Sequence, residues 1–447
     1  MTRKYFGTDG VRGKVGEPPM TVDFALRMAS AAAQVLMPDG GMVVIGKDTR
    51  VSGYMFESAL EAGFVAAGVN VRLLGPLPTP GIAYFTQLLG GDLGVVISAS
   101  HNPYYDNGIK FFDGSGAKLS DEQENQIEAL IEKPIITRDS ADLGRAVRVT
   151  KAVDSYKEHC KQTFPPGVDL NGLKIVVDCA HGAGYKAAPR VLADLGAELI
   201  PIGCSPNGRN INADAGSTKP ELLQLTVKGV RADLGIALDG DGDRLVMVDN
   251  EGRLVDGDQL LFVLATEAAR CGELKGPVVG TVMSNLGLEH ALKKQGIKFL
   301  RAKVGDRNVL AMLREHGGTL GGETSGHILC LDKSTTGDGI VAALQVLAAV
   351  RKSGRSLAEL VEGMPRYPQT LINVRTPARI DLDASPVVVK ALSEARKRLA
   401  DTGRVVLRPS GTEPVIRVMV EGEDKGLVDE TAATIADAVR EAARDAA

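Results

Sequence analysis

Three times along the chain, a short unbroken apolar run gives way to a polar or glycine-bearing loop and then to a helical stretch. The runs are Met42-Val-Val-Ile45 before Gly46-Lys-Asp-Thr-Arg50, with a helix from about Gly53; Lys174-Ile-Val-Val177 before Asp178-Cys-Ala-His-Gly-Ala-Gly184; and Pro277-Val-Val-Gly280 before Thr281-Val-Met-Ser-Asn285. Continuous apolar runs bounded in this way read as buried strands of parallel βα units. A chain so built is restricted to α/β layers, and three spaced units imply three related domains. The C-terminal part breaks the pattern. Residues 387–399 have helical periodicity, 405–407 and 415–420 read as strands, and 425–446 form a long alanine-rich helix, so this part reads as a smaller α+β unit. Boundaries fall near 132–151, 249–252 and 363–368. The expectation is four domains: 1–150, 151–252, 253–366 and 367–447.

Composition excludes several classes. Of 447 residues 52 are Gly, above the roughly 7% of average usage, but without the every-third-residue period of collagen. Lys and Arg number 52 against 56 Asp and Glu, a net charge of −4 with no long basic run, which argues against general nucleic-acid binding. A small phosphorylated ligand needs only a few placed arginines. Residues 1–10 lack the apolar core of a signal peptide, and the longest apolar stretch, 340–350, is too short to cross a bilayer. Five spaced cysteines form no Cys-x-x-Cys pair, which predicts buried, reduced thiols in a cytoplasmic protein without membrane attachment.

Four loops carry chemistry. The strand Gly94-Val-Val-Ile-Ser98 runs into Ala99-Ser-His-Asn-Pro103, placing Ser100 at a strand's carboxyl end, where open α/β sheets bind ligands. Alone, a Ser-His pair there is an ordinary turn, and no Gly-x-Ser-x-Gly elbow marks a hydrolase. More pointed is Asp239-Gly-Asp-Gly-Asp-Arg244, between the apolar runs 236–238 and 245–248. Its alternating carboxylates and glycines let hard oxygens converge, a donor set suited to Mg²⁺. A calcium hand is rejected because its twelfth position is Asn250 rather than Glu. Arg244 can bridge a carboxylate and a phosphate oxygen. A phosphorylated Ser100 would offer oxygens to the same metal, joining the two loops in one site.

The third loop, Arg408-Pro-Ser-Gly-Thr-Glu-Pro414 with Arg417 following, can present backbone N–H groups, hydroxyls and two guanidinium groups to a phosphate. The fourth, Gly321-Gly-Glu-Thr-Ser-Gly-His327, offers Glu323 and Ser325 to sugar hydroxyls or an amino group and His327 to a proton.

In order and spacing these four loops resemble the signature loops of the α-D-phosphohexomutase superfamily, and the resemblance covers essentially the whole chain. The opening Tyr5-Phe-Gly-Thr-Asp-Gly-Val-Arg-Gly13 is similar to that of its phosphoglucosamine mutase branch. The resemblance implies three α/β domains, with mixed sheets and flanking helices, and a C-terminal α+β domain around a central cleft. It implies a phosphoserine at Ser100, Mg²⁺ ligands Asp239, Asp241 and Asp243 beside Ser100, and catalytic roles for Arg12, His101, Lys110, Arg244 and His327. Substrate contacts are implied for Lys303, Gly305, Asp306, Arg307, Glu323 and Ser325. A cradle for the non-reacting phosphate is implied at Arg408, Ser410, Gly411, Thr412 and Arg417.

The implied reaction interconverts α-D-glucosamine 6-phosphate and 1-phosphate through a glucosamine 1,6-bisphosphate, on the route to UDP-N-acetylglucosamine. A glucosamine or glucose 1,6-bisphosphate primer, a phosphosugar substrate, a homodimer and a kinase acting on Ser100 complete the expected cofactors and partners. Thr324 stands at a position that varies between branches and leaves the sugar open. Glucose or mannose phosphates remain alternatives, as do a metal-dependent phosphatase using an Asp of 239–243 and a non-catalytic phosphosugar-binding protein.

Overall fold

The computed structural model describes residues 4–7, 9–376, 381–382, 384–409 and 415–445. They form two compact bodies: Met1–Thr281 with Leu300–Glu362, and Val282–Phe299 with Gly363–Ala447.

The first body opens with a six-stranded sheet. Its strands are β1 (Val11–Lys14), β2 (Gly41–Lys47), β3 (Val69–Pro76), β4 (Leu93–Ile97), β5 (Asp106–Asp113) and β6 (Ala146–Arg148), in the order β1-β5-β4-β2-β3-β6. Helices α1 (Val22–Leu36), α2 (Ser52–Ala66), α3 (Thr79–Leu88) and α4 (Asp121–Ile131) accompany it. The alanine-rich α1 packs with α2 against the strands, and Phe24, Met28, Ile45, Phe56, Leu60 and Phe64 share one core.

A second sheet, β11-β10-β9-β7-β8, is built from β7 (Lys174–Asp178), β8 (Glu198–Ile202), β9 (Leu234–Leu238), β10 (Leu245–Asp249) and β11 (Leu254–Val255). Its helices are α5 (Ala152–Gln162), α6 (Ala187–Asp194) and α7 (Glu221–Val230). The third sheet runs β13-β12-β14-β15, with β12 (Val278–Thr281), β13 (Phe299–Ala302), β14 (Leu320–Gly322) and β15 (Ile328–Cys330). Here the helices are α8 (Gly257–Arg270), α9 (Leu286–Lys294), α10 (Asp306–His316), α11 (Gly339–Ser353) and α12 (Leu357–Val361), of which α9 belongs to the second body.

Parallel pairing alone does not describe these sheets. Strands β2, β3, β4 and β6 run parallel, as do β7, β8 and β9, and β12 with β14. At one side of each sheet, however, β4–β5, β9–β10 and β14–β15 are antiparallel. The reason is length. A parallel crossover takes about a dozen residues or more, whereas residues 98–105, 239–244 and 323–327 suffice only for hairpins. Three of the four chemistry-bearing loops are therefore hairpin turns at strand ends, not crossover loops.

The second body holds β16 (Gln369–Arg375), β17 (Gly403–Pro409) and β18 (Val415–Gly422), in the antiparallel order β16-β18-β17, with α13 (Pro386–Leu399) and α14 (Lys425–Asp445). Val418, Val420, Ile435, Ala436 and Val439 lie in its core, giving the expected α+β unit. The architecture is thus three mixed α/β sheets with flanking helices followed by an α+β unit.

Among the described residues, no helix is long and apolar enough to cross a membrane. The stretch 340–350 lies within α11 and is buried on all sides apart from Gln345, which is half-buried. No cysteine is in a disulfide, but the expectation of five buried thiols holds only for Cys160, Cys179 and Cys330. Cys204 is half-buried, and Cys271 is exposed because it caps the outer end of α8.

Ile45 is fully buried on a central strand. Ile45→Ala should destabilise the first body by about 2–5 kcal/mol, seen as a lower urea midpoint. An unchanged midpoint would remove β2 from the core.

Candidate active site

The turn between β9 and β10 is the anionic centre. Gly242 adopts a left-handed conformation (φ 72°), and a Cβ on Gly240 would lie 2.6 Å from the Ser100 carbonyl oxygen; here glycine lets the turn close against the Ser100 loop. Asp239, Asp241 and Asp243 are buried, with ligand-capable oxygens all within 4.8 Å of one another. The Ser100 hydroxyl donates to Asp239 Oδ2 (2.6 Å). Its own backbone is left-handed (φ 50°), a conformation that costs a non-glycine residue free energy and must be held by its surroundings.

The holding groups are on the page. Arg50, fully buried and ion-paired with Asp48, donates from Nη2 to the carbonyls of Ser100 (3.2 Å) and Asn102 (2.5 Å). Asn212 Nδ2 donates to the same two carbonyls (2.9 and 3.0 Å), and Ser98 Oγ accepts from the Ser100 N–H (2.9 Å).

Charge compensation follows a closed ring. Asp241 pairs with Lys110 Nζ (2.9 Å), Lys110 with Asp9 (3.0 Å), Asp9 with Lys118 (2.5 Å) and Lys118 with Asp306 (2.6 Å). His327 then stands 3.6 Å from Asp306 through Nε2 and 3.6 Å from Asp243 through Nδ1, closing the ring on the turn where it began. Arg12 pairs with Asp9, Arg244 Nε lies 3.9 Å from Asp243, and the Arg244 N–H donates to Asp239 Oδ1 (3.2 Å).

These contacts set the protonation states. Burial works against the charge of Lys110, but Asp241 and Asp9 outweigh it and hold the ammonium above its usual range. Burial opposes the Asp241 carboxylate, yet Lys110 and hydrogen bonds from Lys110 and Thr79 hold it below its usual range. Asp239 is pushed well above the carboxylate range by burial and by its neighbours Asp243 and Asp241. The two histidines part company. Burial, with Arg244 and Arg12, pulls His101 down to about 4, whereas Asp243 and Asp306 overcome burial and raise His327 to about 9. At neutral pH His101 is an acceptor and His327 a cation. His101 Nδ1 lies 3.5 Å from the Ser100 hydroxyl.

A divalent cation fits this turn. Its donors are hard carboxylate oxygens, and Asp241 Oδ1 and Asp243 Oδ1 are buried without a hydrogen-bond partner. Such orphaned, mutually repelling oxygens suit a cation better than any contact the protein supplies.

Of the expected site residues, Ser100, His101, Lys110, Arg12, Arg244, His327, Asp306 and the three aspartates are brought together. Glu323 joins through Oε1, which accepts from the Gly305 N–H (3.0 Å). Lys303 and Ser325 are exposed on the same two loops. Arg307 turns to α4, pairing with Asp121 and Glu124. In the second body, Arg408 and Arg417 face each other across β17 and β18; Ser410, Gly411 and Thr412 lie outside the described residues. Sequence reasoning assigned no role to Asp9, Asp48, Arg50, Thr79, Lys118 or Asn212. Asp9 and Asp48-Thr-Arg50 stand within loops already singled out, while Thr79, Lys118 and Asn212 carry no motif.

Four family models match in series: phosphoglucomutase/phosphomannomutase alpha/beta/alpha domain I over residues 3–136, domain II over 154–252, domain III over 256–367 and the C-terminal domain over 371–438. The chain is 58% identical over 447 residues to a phosphoglucosamine mutase of Thioalkalivibrio sulfidiphilus, covering 99% of each. It is 57% identical over 445 residues to that of Methylococcus capsulatus, again covering 99% of each. Among solved structures, a phosphoglucomutase/phosphomannomutase family protein from Burkholderia thailandensis superposes with a TM-score of 0.80 at 27% identity, covering 97% of both chains. With all four models matched in order and relatives of this identity aligned end to end, the chain belongs to the phosphoglucomutase/phosphomannomutase family, in its phosphoglucosamine mutase branch.

Proposed function

We propose that the protein interconverts α-D-glucosamine 6-phosphate and α-D-glucosamine 1-phosphate in the cytoplasm, using Ser100 as a phosphoryl carrier. The observation that carries this reading is the Ser100 hydroxyl placed 2.6 Å from Asp239 within a buried cluster of three carboxylates. A serine so placed is next to a cation site and cannot shed its surroundings, which suits repeated gain and loss of a phosphoryl group.

In the forward direction, the phosphoryl–Oγ bond of phosphoserine breaks as a bond forms to the free hydroxyl of the sugar phosphate. The hydroxyl proton leaves and Ser100 Oγ ends protonated. The product of this half-reaction is glucosamine 1,6-bisphosphate. After it turns over, the phosphoryl group at the other end returns to Ser100 and the isomer departs. Asp239, Asp241, Asp243 and an oxygen at Ser100 would hold Mg²⁺, which supplies neutralising charge to the phosphoryl oxygens when bound.

The chain's own groups do the rest. Lys110, Arg12 and Arg244 place positive charge around Ser100. His327 enters charged and can give up a proton, while neutral His101 can accept a hydrogen bond at Oγ. Glu323 provides the anion that a glucosamine ammonium group requires, with Ser325, Lys303, Gly305 and Asp306 on the same two loops. Arg408, Ser410, Gly411, Thr412 and Arg417 hold the phosphate that is not reacting. A bisphosphate primer or a kinase loads Ser100 at the start.

A panel of glucosamine, glucose and mannose 6-phosphates with a bisphosphate primer should give the highest kcat/KM for glucosamine. Preference for another sugar would move the assignment within the family; inorganic phosphate without a 1-phosphate product would make the protein a phosphatase.

Phosphopeptide mapping should place phosphate on Ser100, and Ser100→Ala should abolish turnover without lowering thermal stability. Full activity in that variant ends the carrier scheme. Asp241→Asn should lower metal-dependent kcat by about 10²-fold or more, with weaker Mg²⁺ binding by calorimetry; unchanged binding removes the 239–243 turn from the metal site. Arg50→Lys keeps the charge beside Asp48 but loses the fork on Ser100 and Asn102. It should lower kcat by about 10²-fold with little change in KM, and a change in KM alone would deny Arg50 its positioning role.

A further inference from the structure

Apart from the phosphate chemistry, one pair of reactive groups stands out. Cys179 follows β7 and Cys204 follows β8, at the ends of adjacent parallel strands paired through Asp178 and Ile202. The Cys179 N–H donates to the Ile202 carbonyl (3.2 Å), and the Cys204 thiol donates to that same carbonyl (3.2 Å). The Cys179 main chain and the Cys204 sulfur thus meet at one carbonyl oxygen, that of Ile202. The two thiols are unequal: Cys179 is wholly buried, while Cys204 is half-exposed. Contact with Cys179 outweighs burial and draws the Cys204 thiol below its usual range, whereas the same contact, with burial, pushes Cys179 well above. Because Cys204 is the partly exposed thiol and Cys179 the buried one, Cys204 is the sulfur a peroxide can reach and Cys179 the resolving thiol.

What lies beyond Cys179 gives the pair a consequence. Residues 180–183 back the catalytic turn. The Ala183 N–H donates to the Gly240 carbonyl (2.8 Å), and a Cβ on Gly182 would lie 2.3 Å from that oxygen. The Ala180 carbonyl accepts from the Asn212 N–H (2.9 Å), and Asn212 holds Ser100 and Asn102. The His181 carbonyl accepts from the Thr49 hydroxyl (2.6 Å). Ala180 and His181 are both left-handed (φ 53° and 49°), so this segment is held in shape by these contacts rather than by its own preference.

We propose that Cys179 and Cys204 form a reversible disulfide under hydroperoxide, and that its closure displaces residues 180–183 and slows the enzyme. The Cys204 thiolate attacks the peroxide O–O bond, giving a Cys204 sulfenic acid and an alcohol, or water from hydrogen peroxide. The Cys179 sulfur then displaces the sulfenic oxygen, which leaves as water with the Cys179 proton. Two sulfurs together lose two electrons and the O–O bond takes them up; an external dithiol reverses the change. Closure draws the sulfurs to about 2.05 Å, nearer than any non-bonded contact, and the segment fused to Cys179 must move with them. Transient bonds of this kind are the form in which disulfides operate in reducing compartments.

The test uses the full-length, Mg²⁺-loaded enzyme treated with hydrogen peroxide and digested without reductant. The expected product is a Cys179–Cys204 linked peptide, accompanied by a fall in kcat of at least about tenfold, with both reversed by dithiothreitol. Cys204→Ser should keep basal turnover and resist peroxide, while Cys271→Ser, which removes the exposed thiol, should remain sensitive. Inactivation without the linked peptide overturns the proposal, and so does a linked enzyme with full activity. Equal sensitivity in Cys204→Ser overturns it as well. The activity arm rests on the mutase reading, but the crosslink does not: a linked peptide that forms on peroxide treatment of a protein whose untreated form has no mutase activity would fail that reading and leave the thiol pair standing.

Discussion

Everything in the first body is arranged around carboxylates that have been taken out of water. Burying even one anion costs several kcal/mol unless it is paired, and here Asp239, Asp241 and Asp243 share one turn. The ring from Asp241 through Lys110, Asp9, Lys118, Asp306 and His327 to Asp243 is what makes this turn tenable. It draws on the β9–β10 turn, on β5, on the segment before β1, on the residues leading to α4, on the start of α10 and on the end of the 323–327 turn. The elements that carry the ring are thereby tied to one electrostatic requirement, and a change in any member is felt at the 239–243 turn.

That requirement explains why hairpins, and not crossovers, bear the chemistry. A hairpin turn is anchored by paired strands on both sides, Leu238 with Leu245 and Gly322 with Ile328. Strained backbone can then be held at small cost. Ser100 shows the arrangement at its most developed. Its left-handed backbone is clamped through two carbonyls by Arg50 and Asn212, which arrive from different sheets. These clamps grip main chain and not the hydroxyl, so in the proposed reaction a phosphoryl group on Oγ would leave them unbroken.

The parts of this site that could be read in the sequence are those in which several polar residues interrupt an apolar strand pattern. Asp239-Gly-Asp-Gly-Asp243 announces itself because carboxylates sit where buried strands end, whereas the Ser100 loop alone reads as an ordinary turn and gains meaning only beside it. The α/β layering was legible for the same reason, and the C-terminal α+β unit from the change in periodicity. Strand direction was not, since an apolar run has no polarity; only connection length separates the hairpins from parallel crossovers. Lys118 and Asp306 pair across 188 positions of chain, and Thr79 meets Asp241 across 162. Lys118 and Thr79 have no local signature, because each is an ordinary surface residue type until the fold delivers it to its partner. Arg50 is the instructive case: its loop was visible, but an arginine beside an aspartate reads as solvated until its complete burial is seen.

Charge pairing also accounts for how the site can accept its ligands without being rebuilt. The acids Asp9, Asp239, Asp241, Asp243 and Asp306 are matched one for one by Arg12, Lys110, Lys118, Arg244 and His327. A phosphoryl group on serine brings close to two negative charges, and a divalent cation brings two positive ones, so the two enter as a nearly neutral pair. Either alone would unbalance a buried ring, so in the proposed reaction each would favour the residence of the other. Asp239 is where this balance is read: pressed toward protonation by its neighbours, and already bonded to the Ser100 hydroxyl, it is the carboxylate with most to gain from a cation. The serine proposed to carry phosphate and the acid with most to gain from a cation are thus direct neighbours, so in the proposed reaction phosphorylation and metal binding would act on one contact.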